Sequence, residues 1–452
     1  MKVNVPDLNV PRVVIIGGGF GGIRLAGALK NAPVQVVMFD KQNYHCFQPL
    51  LYQVATGGLE PDSIAFPIRK MFKRQRNFFF RMAEVKDVRR DKKTICTSIG
   101  EISYDYLVLA TGSKTNFFDM EGLEVLSHGM KNIPEALDLR SLILNNFEKA
   151  VLTSDLDQRN ALMNFVIVGA GPTGVETAGA LAELKRFILP ADYPELDLRR
   201  MEIHLVEASG EVLPGMSPDS TQSAHKALEK LGVNLWMNTR VEGYDGAKVT
   251  TNTQKTLTSR TVIWAAGVKG VNLPGLEEFE AWGGRVKVDQ FNRIAGQDNL
   301  FAIGDVALMQ EEKYPDGHPM VAPVAIQQAD ILARNIKSLI YNRKLKPFAY
   351  RDKGTMATIG RNKAVVDVRR FHFKGWFAWI MWMVVHLFSL AGFRNRIVVF
   401  VNWFWSYVTY DRGSRLIMDS FKRKSSVDPP QPKVPEVLTK EEPNSEVVES
   451  VG

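Results

Sequence analysis

The sequence predicts an α/β chain of two similar strand–helix units, one inserted into the other, followed by a C-terminal region of amphipathic helices. Three observations predict it. An apolar run, Val13 to Ile16, enters Gly17-Gly18-Gly19-Phe20-Gly21-Gly22 and continues as a helix-compatible segment. A second run, Phe165 to Val168, enters Gly169, Gly171 and Gly174 and again opens a helix. Further on, Gly375 to Phe393 carries no Asp, Glu, Lys or Arg, and five of the chain's eight Trp residues fall between Trp376 and Trp405.

The repeated turn suits a dinucleotide. Its first glycine permits the tight turn, its second lets backbone approach a pyrophosphate without a Cβ in the way, and its third lets the helix pack on the strand. The helix N-terminus then presents free N–H groups and a positive dipole end to the phosphates. One such motif is weak evidence; two in the same strand–turn–helix setting define two Rossmann-like dinucleotide-binding domains.

In chain order, helix Ile23 to Leu29 leads to strand Val34 to Phe39, which ends at Asp40, 21 residues after Gly19. That is where an acid bonds an adenosine ribose. Residues 43 to 69 show no clean period and are dense in aromatics, Gly and Pro, as an ordered functional loop would be. Phe78 to Phe80, Ala83 to Val88, Thr94 to Thr97 and Ile102 to Ala110 read as strands, the last entering Ala110-Thr111-Gly112, a turn shaped to lie against a cofactor. Helix Pro134 to Asn146 precedes the second unit, whose next strand, Glu202 to Val206, ends at Glu207. A terminal Glu accepts both ribose hydroxyls and repels a 2′-phosphate, favouring NADH over NADPH. Val262 to Gly267 echoes the earlier strand-to-glycine turn with Ala266-Gly267, an internal duplication. Leu300 to Asp305 is a strand ending in Gly304-Asp305, and Ala322 opens a helix to about Tyr341 bearing Gln327 and Gln328. By themselves, paired glutamines there are a polar helix face. The expected domains are residues 1–120 and 286–345 for the first unit, 121–285 for the inserted one and 346–424 for a C-terminal anchoring region. Residues 425–452, Pro-rich with six acids against two Lys, form an expected disordered tail.

The formal charge is +8, yet Arg343 to Lys424 holds 17 Lys/Arg against four Asp/Glu, so the positive excess is C-terminal and the rest is net acidic. Nineteen uncharged residues could span a bilayer. At helical spacing, however, Trp376, Trp379, Trp382 and His386 share an arc of about 120° opposite Phe377, Val384 and Phe388. Arg369, Arg370, Lys374, Arg394 and Arg396 bracket the run. This favours a helix lying in the interface, where anionic headgroups attract each nearby cation by about 1 kcal/mol; a buried helix pair in a soluble core is the alternative. The apolar runs between the basic residues argue against nucleic acid. With 45% hydrophobic and 23% charged residues the chain is globular. Cys46 and Cys96, far apart in sequence, exclude a disulfide-built fold, argue against a dithiol or zinc site, and read as buried inert thiols. Met1 to Arg12 resembles neither a signal nor a transit peptide, so the protein is expected to stay where it is made.

The segments together resemble the two-dinucleotide-domain flavoprotein oxidoreductases. Phe47-Gln-Pro-Leu-Leu-Tyr-Gln-Val-Ala, Ala322 to Gln328, and Phe373-Lys-Gly-Trp-Phe-Ala-Trp through His386-Leu resemble one branch closely, the type II NADH dehydrogenases, single-subunit NADH:quinone oxidoreductases of the membrane surface. The resemblance spans about Arg12 to Arg415. It implies noncovalent FAD held by Gly17, Gly19, Phe20, Gly21, Gly22, Asp40, Lys41, Val85, Ala110, Thr111, Gly112, Gly304, Asp305 and Ala322. It implies NADH held by Gly169, Gly171, Gly174, Glu207, Ala266 and Gly267, and ubiquinone or menaquinone near Gln327 and Gln328, with no metal. The family's quinone motif often reads Ala-Gln-x-Ala-x-Gln; here Pro323 takes the second place, and Ala322, Ala325 and Gln327 match. Glu176 corresponds to a catalytic quinone-site carboxylate and Lys374 to its basic partner. Desolvation would raise the carboxyl's pKa and the ammonium would lower it, leaving a group that exchanges protons near neutral pH. As bare residues, Glu176 is an acid in the first helical turn, favoured by the dipole, and Lys374 a side chain snorkelling to headgroups.

The resemblance further implies turnover without proton pumping, and a peripheral protein on the cytoplasmic face of the cell inner membrane. The apolar C-terminal surface makes a homodimer the expected assembly. A sulfide:quinone or ferredoxin-type reductase of the same fold, or a non-catalytic NADH-sensing flavoprotein, are the alternatives.

Overall fold

The computed structural model describes residues 2–409 and 413–418; the expected tail, 425–452, lies outside them. The first unit is a parallel sheet in the order Leu300–Ala302, Tyr106–Leu109, Arg12–Ile16, Gln35–Asp40, Phe78–Met82. Helices Phe20–Ala28 and Ala322–Ile340 pack side by side against it. The second unit is a parallel sheet in the order Val233–Trp236, Ile203–Val206, Phe165–Val168, Thr261–Trp264. The strands carrying the glycine turns are covered on both faces, which is why they read as unbroken Val/Ile runs.

The duplication reaches beyond the glycine turns. Each unit places an antiparallel three-stranded meander before its strand-to-glycine turn: Val85–Arg89, Thr94–Thr97 and Gly100–Ser103 in the first, Val241–Tyr244, Lys248–Thr251 and Thr256–Thr258 in the second. The expected strand Ile102 to Ala110 is therefore two strands. It breaks at Tyr104-Asp105, where the Asp105 carboxylate accepts the Arg12 N–H that opens the central strand. Both crossings between the units run through one antiparallel ribbon, Ser113–Thr115 against Val268–Gly270.

After the Ala322–Ile340 helix comes an antiparallel sheet the sequence reading does not contain, Thr355–Thr358, Ala364–Val368 and Phe371–Lys374. It packs on helices Pro172–Glu183 and Pro218–Lys230 of the second unit. The approach is close at Gly179, where a Cβ would stand 3.0 Å from the Ile359 backbone. Helices Gly375–Ser389 and Phe393–Thr409 follow and share one core with the second unit and the segment Phe47 to Ile64. Neither of these helices, nor any other among the described residues, is long and apolar enough to cross a membrane. Their outer faces expose Phe377, Val384, Phe388, Phe393, Phe400, Phe404 and Val408.

Of the expected aromatic arc, Trp379 and Trp382 turn inward onto a cavity opposite the exposed Phe377, Val384 and Phe388, whereas Trp376 departs from it and is exposed beside Phe377. Trp382 bonds a buried carboxylate there, and Trp403 of the next helix donates to Gln53 Oε1 at 2.8 Å.

Candidate functional site

Both glycine turns lie at the C-terminal ends of parallel strands, where open α/β sheets bind ligands. Gly17 and Gly169 have φ of 110° and 100°, and a Cβ on either would collide with backbone, Ala110 O at 2.2 Å and Ala265 O at 2.5 Å. Gly22 and Gly174 each leave only 1.9 Å between such a Cβ and the carbonyl of the turn's first glycine. Gly19 and Gly171 are the opposite case, with nothing within 4 Å, and both helices begin without a side-chain cap. Open ground beside an uncapped helix N-terminus fits a dinucleotide pyrophosphate. The acid of each unit braces its turn: Asp40 accepts from Gly18 N, and Glu207 from Ala170 N at 2.7 Å and Ser209 N at 2.8 Å. Burial outweighs these bonds at Asp40 and raises its pKa above the usual carboxylate value.

The sheet order brings Ala110-Thr111-Gly112 and Gly304-Asp305 beside the first turn. Gly21 packs against Ile303 and Ala325, so the Ala322–Ile340 helix starts at the same place. Lys41 points outward to Glu84 at 2.7 Å, while Val85 is buried at the head of the meander. In the second unit, Asn116 N donates to Gly267 O at 3.1 Å, tying the Ala266-Gly267 turn to the first crossing. Asp305 Oδ2 accepts from Ser113 Oγ at 2.6 Å, and Ser113 Oγ accepts from Lys131 Nζ at 3.0 Å. Burial lowers the Lys131 pKa, opposed by the charges of Asp305 and Glu135. Neither Ser113 nor Lys131 stands out in sequence, because each lies outside the turns and reaches the site only through the tertiary fold.

The glutamines separate. Gln328 is buried and accepts from Gly304 N at 2.7 Å, so it braces the Gly-Asp turn. Gln327 exchanges two 3.0 Å hydrogen bonds with the Arg351 backbone. Neither lines the cavity that holds Glu176.

Glu176 is the fifth residue of its helix rather than a first-turn acid, and the helix has no acid in its first turn. It is buried. Its Oε1 accepts from the Trp382 indole N–H at 3.2 Å and more weakly from Thr358 N at 3.4 Å. Burial pushes its pKa up to about 8, and these two donors pull the other way. Lys374 is not its partner, which corrects the expected pairing. Lys374 is an exposed residue immediately before the Gly375–Ser389 helix, its side chain making no capping bond, and Trp382 lies eight residues, about 12 Å, further along. The aromatic donor takes the place expected for a cation. Its ring stacks on His386 at 4.1 Å, and His386 Nδ1 donates to Trp382 O at 2.8 Å. Burial keeps His386 neutral, its pKa lowered to about 4. The ring series continues from His386 to Phe47 at 6.0 Å and from Phe47 to Phe20 at 5.9 Å, joining this site to the first glycine turn.

Glu176, Trp382, Trp379, Trp403, Tyr52 and Met383 line a cavity of about 120 Å³ between the second unit and the C-terminal helices. At about 30 Å³ per water it has room for a short water chain to the carboxyl. Cys46, its thiol pushed up to about 12 by burial, and Cys96 sit on separate sheets as free thiols, so no dithiol faces the cofactor ground.

Residues 11–329 match the pyridine nucleotide-disulphide oxidoreductase family, and residues 353–409 match the NDH2 C-terminal domain. Two type II NADH:quinone oxidoreductases of Mycobacterium tuberculosis, NdhA and Ndh, are 36% and 35% identical to this chain, each over 90% of it and over 89% and 90% of their own lengths. The structure of NDH2 from Plasmodium falciparum in complex with NADH shares the fold, with a TM-score of 0.83 at 22% identity, covering 91% of this chain and 100% of that one. The 36% and 35% identity to the mycobacterial enzymes over nearly the whole of both sequences, with the family match over residues 11–329, carries the likeness past fold alone, and the chain belongs to the type II NADH:quinone oxidoreductases.

Proposed function

We propose that Glu176 manages the proton of quinone reduction in this NADH:quinone oxidoreductase. FAD, when bound, would supply the redox chemistry that relays the two electrons of the NADH hydride to quinone. The net reaction, NADH + H⁺ + quinone → NAD⁺ + quinol, draws one proton from the medium beyond the hydride. Glu176 is placed to deliver it. A carboxyl with pKa about 8 is mostly protonated at neutral pH and close enough to it to be reloaded. Trp382 and Thr358 fix Oε1, and the adjoining cavity has room for the waters that would reload the carboxyl. Asp40 and Asp305 would hold the adenosine and ribityl sides of FAD, with Lys131 reaching Asp305 through Ser113. Glu207 holds the ribose of NADH. The observation that carries the reading is a buried carboxyl with no cation among its partners, on the helix that begins at the second nucleotide turn.

The exposed apolar faces of the two C-terminal helices, next to Arg369, Arg370, Lys374 and Arg394, support peripheral attachment to an anionic membrane. Stopped-flow measurement of the two half-reactions tests the proton role. In Glu176→Gln, oxidation of the reduced enzyme by a short-chain quinone slows roughly 10²- to 10⁴-fold, while anaerobic reduction by NADH stays within a few-fold. Equal losses in both half-reactions would remove it.

A further inference from the structure

We infer that the cleft between helix Pro218–Lys230 and the C-terminal sheet is a binding site for the phosphate of an anionic lipid headgroup. Ser223, Lys226, Lys230, Lys363, Ile359 and Gly375 line a cavity of about 270 Å³ there. Three lysines from two separate elements line it together with Ser223, and Lys230 is close enough to Lys363 for their charges to interact. Lys226 and Lys230 lie one turn apart on the helix, a like-charge spacing that destabilises a helix unless an anion sits between. Lys363 comes from the turn joining the first two strands of the sheet. Arg186 adds a further cation near Lys363, and Glu183, which accepts from Arg361 N, is the acid whose charge acts on it. His225 and Glu229 pair with each other on the same helix. Among the described residues, none of the three lysines has an ion-pair partner within 4.0 Å.

Position names the ligand. The cavity ends at Gly375, where open space replaces any neighbour of a Cβ, and the helix beginning there has neither a side-chain cap nor a first-turn acid. The next two residues, Trp376 and Phe377, are exposed and belong to the apolar face. When that face enters the acyl region, the cleft lies at headgroup depth. The inference rests on the peripheral-membrane reading above and adds to it that the NADH unit itself grips the membrane.

The test uses full-length, FAD-loaded protein and sedimentation with vesicles of phosphatidylcholine, alone or with roughly one part in four phosphatidylglycerol. Wild type should partition to the anionic vesicles. The triple variant Lys226→Gln, Lys230→Gln, Lys363→Gln should lose roughly fivefold per lysine, about a hundredfold in all. A control of equal charge change on the first unit's meander, Lys86→Gln, Lys92→Gln, Lys93→Gln, should lose less than about threefold. Unchanged FAD content and melting temperature verify that both variants fold. Wild type that ignores both vesicles sinks the membrane reading itself. Wild type that binds while the two variants lose affinity equally, or not at all, overturns the cleft and leaves the membrane reading standing. Calorimetric binding of inorganic phosphate, lost in the cleft variant while its vesicle partition is unchanged, would assign the site to a free anion and overturn the lipid.

Discussion

Arg24 and Glu176 occupy the same place in the two nucleotide units, two residues past the last glycine of each turn, and meet opposite fates. Arg24 is exposed and pairs with Asp330 at 2.7 Å on the neighbouring Ala322–Ile340 helix. Glu176 is buried against Trp382 and Thr358 without a counter-charge. The turns are alike down to the collisions their glycines avoid. What differs is the third layer. A soluble-faced helix covers the first unit's helix, whereas the C-terminal sheet and an aromatic helix seal the second's. Desolvation from that outer layer, not the turn, makes one position an ion pair and the other a proton site.

The largest expected effect separates the units. Gly22→Ala should yield protein without flavin, seen as loss of its visible absorbance, because the new Cβ meets the turn's own carbonyl. Gly174→Ala should keep the flavin and lose at least about 100-fold in its bleaching by NADH, the scale of a displacement near 1 Å. Trp382→Phe removes a donor to the Glu176 carboxylate. Its pKa should rise further, moving the alkaline limb of quinone reduction up by roughly one to two pH units with the flavin spectrum unchanged. Stability against pH gives a smaller signal. The folded pKa of Glu176, about 8, exceeds the ordinary 4.5, so its contribution is full below pH 4.5 and declines as pH rises to 8. Melting curves of Glu176→Gln should therefore gain on wild type by about a few degrees between pH 5 and pH 9. Arg24→Ala should be nearly silent, within about 1 kcal/mol by denaturant melts, as exposed pairs are.

The nucleotide cradles were legible because a missing Cβ and a positive φ are written in residue type, and because Asp40 and Glu207 end their strands. Glu176 itself came from resemblance. Its surroundings could not be read locally, since its donors lie 182 and 206 residues away in sequence. The same distance explains the mistaken partner: Lys374 begins the correct helix, but spacing alone did not reveal that Trp382 faces inward. The C-terminal sheet escaped because its strands are short, and positive φ at Gly354, Gly360 and Arg369 interrupts them before any alternation can repeat. That the Gln328 Oε1 braces the Gly-Asp turn was equally hidden, because Gly304 reaches it only through the tertiary fold.

The ribbon that carries both crossings sets an order of assembly. Seen from the first unit, residues 116–267 are the loop of one hairpin whose arms are Ser113–Thr115 and Val268–Gly270. The first sheet closes only when Leu300–Ala302 finds Tyr106–Leu109, a pairing that waits for everything between to be synthesised. The second sheet is continuous in sequence and waits for nothing beyond Trp264. Once it folds, the ribbon's arms are already held together, and the long loop-closure entropy facing the first sheet is largely removed. Pulse-labelled hydrogen exchange during refolding should then find Phe165–Val168 protected before Arg12–Ile16, so the unit that interrupts the chain is the one that nucleates it.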